Sequence, residues 1–135
     1  MKSLTRFPNG ATFAFTILDD TDDMTVEKGR PIYDLLYRCG LRITKTVWTL
    51  DTPPEKQGPY FAGETLASDK YLDWVKDLDS RGFEIGFHNA TMASSRREET
   101  EAAISFINNT FSKPLRLHCN HGQNLENLYW GSDRY

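Results

Sequence analysis

The chain has 135 residues, of which 39% are hydrophobic and 26% charged, and its net charge at pH 7 is -3. This length and composition predict one globular domain over residues 1–135 with a real hydrophobic core. The acidic balance gives no overall basic footprint, so we expect neither nucleic acid nor an anionic membrane as a partner. The sequence contains no run of about 18 apolar residues, so no membrane-spanning helix is predicted. Two cysteines cannot form a disulfide framework and no apolar leader is visible, so we expect a cytoplasmic protein.

The first half of the chain alternates between strand-like and helix-like patterns. Residues 11–18 form an apolar run that predicts a buried strand. A helix is expected to begin at Arg30, directly before a proline that a first turn tolerates, and to end at Gly40. Residues 41–50 are β-branched and alternating, which indicates a second strand, and the Pro- and Gly-rich residues 51–68 predict a long loop. The predicted apolar stripe of the helix is Ile32, Leu35, Leu36 and Cys39.

The second half continues the alternation. Residues 69–81 predict a second helix and residues 83–88 a third strand. Ser95 followed by Glu98 is a capping-box signal for a third helix, and residues 114–119 predict a fourth strand. Strands separated by helices are typical of an α/β fold, in which parallel strands are joined by helical crossovers. Sites in such folds lie at the carboxyl ends of the strands.

Polar side chains stand at three of these predicted strand ends. The first strand ends in Asp19 and Asp20, the third in His88, and the fourth in His118, with His121 close behind. An aspartate with two histidines is a common ligand set for zinc, or for manganese, iron, cobalt or nickel, and a spare carboxylate can accept a proton. The alternative is structural: aspartates favour turns, and a strand-end histidine often only completes a hydrogen-bond network.

Two segments carry a family resemblance. Thr16-Ile17-Leu18-Asp19-Asp20 and Gly82-Phe83-Glu84-Ile85-Gly86-Phe87-His88 resemble two motifs of the polysaccharide deacetylase family, metal-dependent carbohydrate esterases that remove acetyl groups from sugars. The resemblance implies a (β/α) barrel, Asp19 as general base, and Asp20 and His88 as ligands of a divalent metal, zinc in the first place.

The chain also departs from the family pattern. The family's second histidine is replaced by Met92, whose thioether is a poor ligand for a hard divalent metal. The third motif keeps Arg116 and Gly122 but has histidines where the family has prolines. By resemblance Arg116 is a catalytic residue, and His118 or His121 is expected to supply the missing ligand.

The resemblance covers roughly residues 11–122, whereas a barrel of this kind needs about 200 residues. We therefore expect only the N-terminal half of the family's domain, as a partial barrel. An open strand edge invites association. We expect a homo-oligomer, most simply a two-fold dimer, to which Tyr129 and Trp130 of a second copy could contribute.

The leading functional prediction is a deacetylase-like hydrolase acting on a small-molecule or oligosaccharide substrate. Trp48, Asn89 and Asn120 are the predicted substrate-binding residues. One alternative is a non-catalytic relative that binds metal or carbohydrate. The other is a haloacid dehalogenase-type phosphatase, whose Asp-x-Asp spacing is matched by Asp20-Thr21-Asp22-Asp23. Under the leading prediction, Asp22 and Asp23 are only solvated or capping residues.

Overall fold

The computed structural model describes residues 7–59, 61–122 and 124–126, so the expected contribution of Tyr129 and Trp130 lies outside the described residues. Within these ranges the chain forms three strands and three α-helices, with short 3-10 turns at Pro8–Gly10 and Pro54–Lys56. In chain order the elements are β1 (Leu18–Asp19), α1 (Val26–Arg38), β2 (Thr44–Val47), α2 (Asp69–Ser80), β3 (Glu84–Phe87) and α3 (Arg97–Thr110).

The strands form one parallel sheet in the order β1-β2-β3. In its register Asp19 lies opposite Lys45, and Val47 opposite Phe87. The predicted α/β fold, with parallel strands and helical crossovers, is therefore confirmed. Among the described residues the sheet is open, with β1 at one edge. Since all three strands run the same way, their carboxyl ends share one edge of the sheet.

The predicted fourth strand, residues 114–119, is reduced to a single parallel bridge between His118 and Phe87. The Phe87 N–H donates to the Leu117 carbonyl and the Cys119 N–H donates to the Phe87 carbonyl, both at 2.9 Å. This segment therefore still lies beside β3 and carries the residues that follow it to the carboxyl edge.

The hydrophobic core lies between the sheet and the helices. Tyr33 of α1 makes edge-to-face contacts with Trp74 of α2 and with Phe83, at centroid distances of 5.5 and 5.1 Å. Side chains alternate between the two faces of a strand, so one face of the sheet points into this core. The buried side chains on that face are Ile43, Val47, Ile85 and Phe87.

The first predicted strand is wrong in its bounds. It was expected over residues 11–18, yet β1 contains only Leu18–Asp19. The N–H of Thr44, the first residue of β2, donates to the Ile17 carbonyl, and the ladder does not extend to earlier residues. Phe13 and Phe15 consequently remain 75% and 70% exposed.

The first helix begins earlier than the expected Arg30. The Thr25 hydroxyl accepts from the Lys28 N–H at 3.3 Å and caps the helix at Val26. The predicted inward stripe is wrong in three of its four members, because Ile32, Leu35 and Cys39 are exposed. Its fourth member, Leu36, is partly buried and packs against the core.

The inner face of α1 is determined by close packing. A Cβ at Gly29 would lie 2.3 Å from the Trp74 ring, so only glycine permits this approach of the two helices. Val26 and Tyr33 lie on the same side of α1 as Gly29 and are buried in the core.

The later helices agree better with the sequence. The second, expected over residues 69–81, is α2. The third begins at Arg97, where the Glu99 carboxylate accepts from the Arg96 N–H at 2.6 Å, so Ser95 is not its cap. Of the helices in the described ranges, none combines the length and apolarity that crossing a bilayer requires.

Candidate metal centre

Three side chains converge at the carboxyl edge of the sheet. Asp20 and Asp22 follow β1, and His88 follows β3. One ligand atom from each lies within 4.8 Å of the other two, and we call these residues the ligand cluster. The approach of Asp20 to His88, expected from the topology, is present at 3.0 Å between Oδ1 and Nε2.

His88 is oriented by its second ring nitrogen. Nδ1 lies 2.9 Å from the Cys119 carbonyl, which can only accept, so Nδ1 carries the proton and Nε2 holds a lone pair. Nε2 lies 3.0 Å from Asp20 Oδ1 and 3.5 Å from Asp22 Oδ1. His88 is only 1% exposed, and within the described ranges Nε2 has no hydrogen-bond partner. The side chains of Asp20 and Asp22 are 62% and 48% exposed, and a cation between them and the buried Nε2 would bind all three groups.

The pKa shifts of His88 and Asp22 arise mainly from burial. Burial lowers the pKa of His88, and the opposing attraction of Asp20 and Asp22 is smaller. Burial, and secondly the Asp20 carboxylate, raise the pKa of Asp22. One imidazole nitrogen and two carboxylates are a donor set that suits zinc and its neighbours. The residues therefore fit the divalent metal that the sequence predicted.

Asp22 was missed as a candidate ligand by the sequence. Thr21 is buried, with its Oγ1 3.3 Å from the Tyr71 hydroxyl, and the Asp22 N–H donates to Asp20 Oδ1 at 3.2 Å. Residues on either side of the inward Thr21 thus project toward His88. The signal in the sequence is the i, i+2 spacing directly after a strand. Asp23 instead forms a surface ion pair with Lys28.

The two remaining histidines occupy different positions. His121 Nε2 lies 3.6 Å from Asp22 Oδ1, and its ring meets the His88 ring edge-on at 5.4 Å. His118 packs on Phe87, at a centroid distance of 5.1 Å. The geometry therefore places His121, and not His118, beside the ligand cluster.

Two of the three residues predicted to bind substrate contact histidines of the site. Trp48 is only 1% exposed, and its ring lies against His88 and His121 at 5.8 and 5.7 Å. A buried ring cannot offer its face to a sugar, so the predicted binding of substrate by Trp48 is not available in this structure. Asn89 is buried, with φ at 64°, and its Oδ1 accepts from the His121 N–H at 2.8 Å. Asn120 is half-buried, and within the described residues its Oδ1 has no hydrogen-bond partner.

Neither of the two predicted catalytic residues is a member of the ligand cluster. Asp19 Oδ2 accepts from the Tyr33 hydroxyl at 2.5 Å and lies 3.2 Å from Lys45 Nζ. Burial lowers the pKa of Lys45, and Asp19 is the largest influence in the opposite direction. Arg116 is exposed. The cation that pairs with Asp19 is therefore Lys45, a residue that the sequence did not single out.

A cleft of about 320 Å³ opens beside His121. Met92, which stands where the family has a histidine, lines this cleft and lies outside the ligand cluster. The cleft combines apolar walls with amide and hydroxyl groups. Its other main lining residues are Thr52, Lys56, Pro59, Phe61, Ser94 and Asn124.

Comparisons with protein-family models, with curated proteins and with solved structures found no match to this chain.

Proposed function

We propose that the chain is a polysaccharide deacetylase-like, metal-dependent hydrolase that removes acetyl groups from a sugar or a related amide or ester. Asp20, Asp22 and His88 would hold a divalent metal, most simply zinc. The observation that carries the proposal is the Nε2 of His88, which is buried and faces two carboxylates without a hydrogen-bond partner among the described residues.

A divalent metal in this position would polarise an acyl carbonyl and make a water molecule easier to deprotonate. The chain's own residues orient the metal ligand and form the substrate cleft. The Cys119 carbonyl keeps the proton of His88 on Nδ1, which directs the Nε2 lone pair into the site. The cleft beside His121 would hold the acetylated substrate, with apolar contacts from Phe61 and Met92.

His121 is the best-placed proton acceptor. Its Nδ1 lies 3.1 Å from Asn124 Oδ1, an amide oxygen that accepts hydrogen bonds, so a proton on Nδ1 would complete this bond. Nε2 lies 3.6 Å from Asp22 Oδ1, at the boundary between the ligand cluster and the cleft. Positioned histidines are the commonest general bases.

The proposal includes a partial (β/α) barrel of the deacetylase type and a homo-oligomer. The parallel three-stranded sheet with helical crossovers supports the first. The exposed Phe13 and Phe15 beside the edge strand support the second.

The two alternatives predict different results. A haloacid dehalogenase-type phosphatase would use Asp20 as nucleophile with Mg²⁺, which prefers oxygen ligands. The imidazole nitrogen of His88 in the cluster argues against it. A non-catalytic relative would keep the metal without turnover.

The test combines metal analysis with activity. We expect the purified chain to bind Zn²⁺ and to release acetate from an N-acetylated chitooligosaccharide or from p-nitrophenyl acetate. His121→Gln should keep the metal and lose acetate release. Elemental analysis without metal, together with an unchanged melting temperature in Zn²⁺ or Mn²⁺, would refute the proposal. Metal binding without acetate release would favour the non-catalytic alternative, and Mg²⁺-dependent phosphate release would favour the phosphatase.

A further inference from the structure

Lys45 and Asp19 form an ion pair in which the cation is buried and the carboxylate is partly exposed. Lys45 is on β2 between Ile43 and Val47, which share its face of the sheet, and it is 0% exposed. Asp19 is its register partner on β1, with Oδ2 3.2 Å from Nζ. The Thr46 hydroxyl donates to the Asp19 carbonyl at 2.8 Å, and this bond fixes the end of β1.

An ammonium group in this position is costly without an anion, since burial removes its hydration. Three carboxylates act on Lys45 electrostatically: Asp19 most strongly, then Asp20 and Asp22. Only Asp19 contacts it as an ion pair within the described residues. The Tyr33 hydroxyl, at 2.5 Å, holds the same Asp19 oxygen in place.

We infer that Asp19 is the counter-ion of Lys45 and not the base that the resemblance implies. By neutralising the ammonium it leaves Asp20 and Asp22 as a doubly negative pair, matched in charge to a divalent cation. Asp19 would thus be a positioning residue that sets the charge of the site. The inference rests on the proposed metal centre.

The ion pair between Asp19 and Lys45 predicts that Asp19→Asn weakens Zn²⁺ binding. The substitution removes the carboxylate that offsets Lys45, so any positive charge that stays on Lys45 acts on Asp20 and Asp22 against the metal. Zn²⁺ affinity should fall by about tenfold or more, because an uncompensated unit charge near the site opposes the cation. Replacing Lys45 as well removes that charge, so the double variant Lys45→Met/Asp19→Asn should recover most of the affinity.

The experiment is a double-mutant cycle over wild type, Asp19→Asn, Lys45→Met and the double variant. Zn²⁺ affinity is measured by competition with a chromophoric chelator, and stability by urea unfolding of the metal-free proteins. Thr44→Val is the matched control on the same strand, since it removes the 2.6 Å hydrogen bond to Glu84. It should lower stability and leave Zn²⁺ affinity unchanged.

Recovery of both affinity and stability in the double variant would support the inference. A double variant as weak in Zn²⁺ binding as Asp19→Asn would overturn it, because Asp19 would then act on the metal directly. Unchanged Zn²⁺ affinity together with unchanged stability in Asp19→Asn would also overturn it. If the wild type binds no Zn²⁺, the proposed function fails, and the stability cycle alone decides the pairing of Asp19 with Lys45.

Discussion

Nε2 of His88 lies 3.0 Å from Oδ1 of Asp20, although the two residues are 68 positions apart in sequence and β2 lies between their strands. Both residues come directly after a strand, so the parallel sheet brings them to one edge. The short distance between a buried ring nitrogen and a carboxylate oxygen, with Asp22 beside them, makes this edge a candidate metal centre.

Removal of the His88 ring should abolish tight metal binding. In His88→Asn the shorter amide cannot supply a nitrogen lone pair, and we expect Zn²⁺ affinity to fall at least about 100-fold, the upper end of the loss seen for outer-shell partners. Competition titration with a chelator measures it. His118→Asn is the control, since His118 packs on Phe87, and it should bind Zn²⁺ like the wild type. Equal losses in the two variants would contradict the ligand assignment.

Asp22 should behave as a ligand and its neighbour Asp23 should not. Asp22→Asn removes one of the two negative charges that face His88, so Zn²⁺ affinity should fall by about tenfold or more. Asp23→Asn is matched in chemistry and affects only the surface pair with Lys28. Isothermal titration of both variants checks this prediction, which fails if Asp23→Asn weakens binding as much as Asp22→Asn.

The free energy of unfolding of the metal-free protein should fall as the pH is lowered from 7.5 to 5.5. Burial lowers the pKa of His88 and of His118 below the ordinary histidine value of about 6.5. Between each lowered pKa and 6.5 the unfolded chain binds a proton that the folded chain does not. Stability therefore rises with pH through that window and levels off above it.

Urea unfolding in EDTA measures this dependence. Each histidine contributes at most about 1.4 kcal/mol per pH unit. The double variant His88→Asn/His118→Asn should have a flatter profile. The raised pKa of Asp22 acts in the opposite direction toward lower pH, because the folded state keeps that proton longer. A wild-type stability that increases on acidification within this range would refute the prediction.

Association should depend on the segment before β1. Phe13 and Phe15 are 75% and 70% exposed beside an edge strand, and exposed apolar surface next to an open edge favours pairing with a second copy. We expect a dimer in sedimentation at micromolar concentration and a monomer for Phe13→Ser/Phe15→Ser. Ile32→Ser, on the exposed side of α1, is the control. A concentration-independent wild-type monomer would exclude the dimer.

The sequence by itself determined the order of the elements and two members of the site. Apolar runs and β-branched residues predicted the parallel α/β arrangement, since burial periodicity is a local property of the chain. The same patterns located Asp20 and His88 at strand ends. The bounds of the first strand and of the first helix were predicted less well. For the strand the reason is that the length of β1 depends on where β2 begins.

Only the tertiary structure decided which way the side chains turn and what they meet. The inward side of α1 depends on Gly29 fitting against Trp74. The choice of His121 over His118, the recruitment of Asp22 and the pairing of Asp19 with Lys45 all depend on contacts between segments far apart in sequence. Local periodicity shows which residues stand at the ends of strands. It does not encode which residue of another segment each of them contacts, because packing across the sheet decides that.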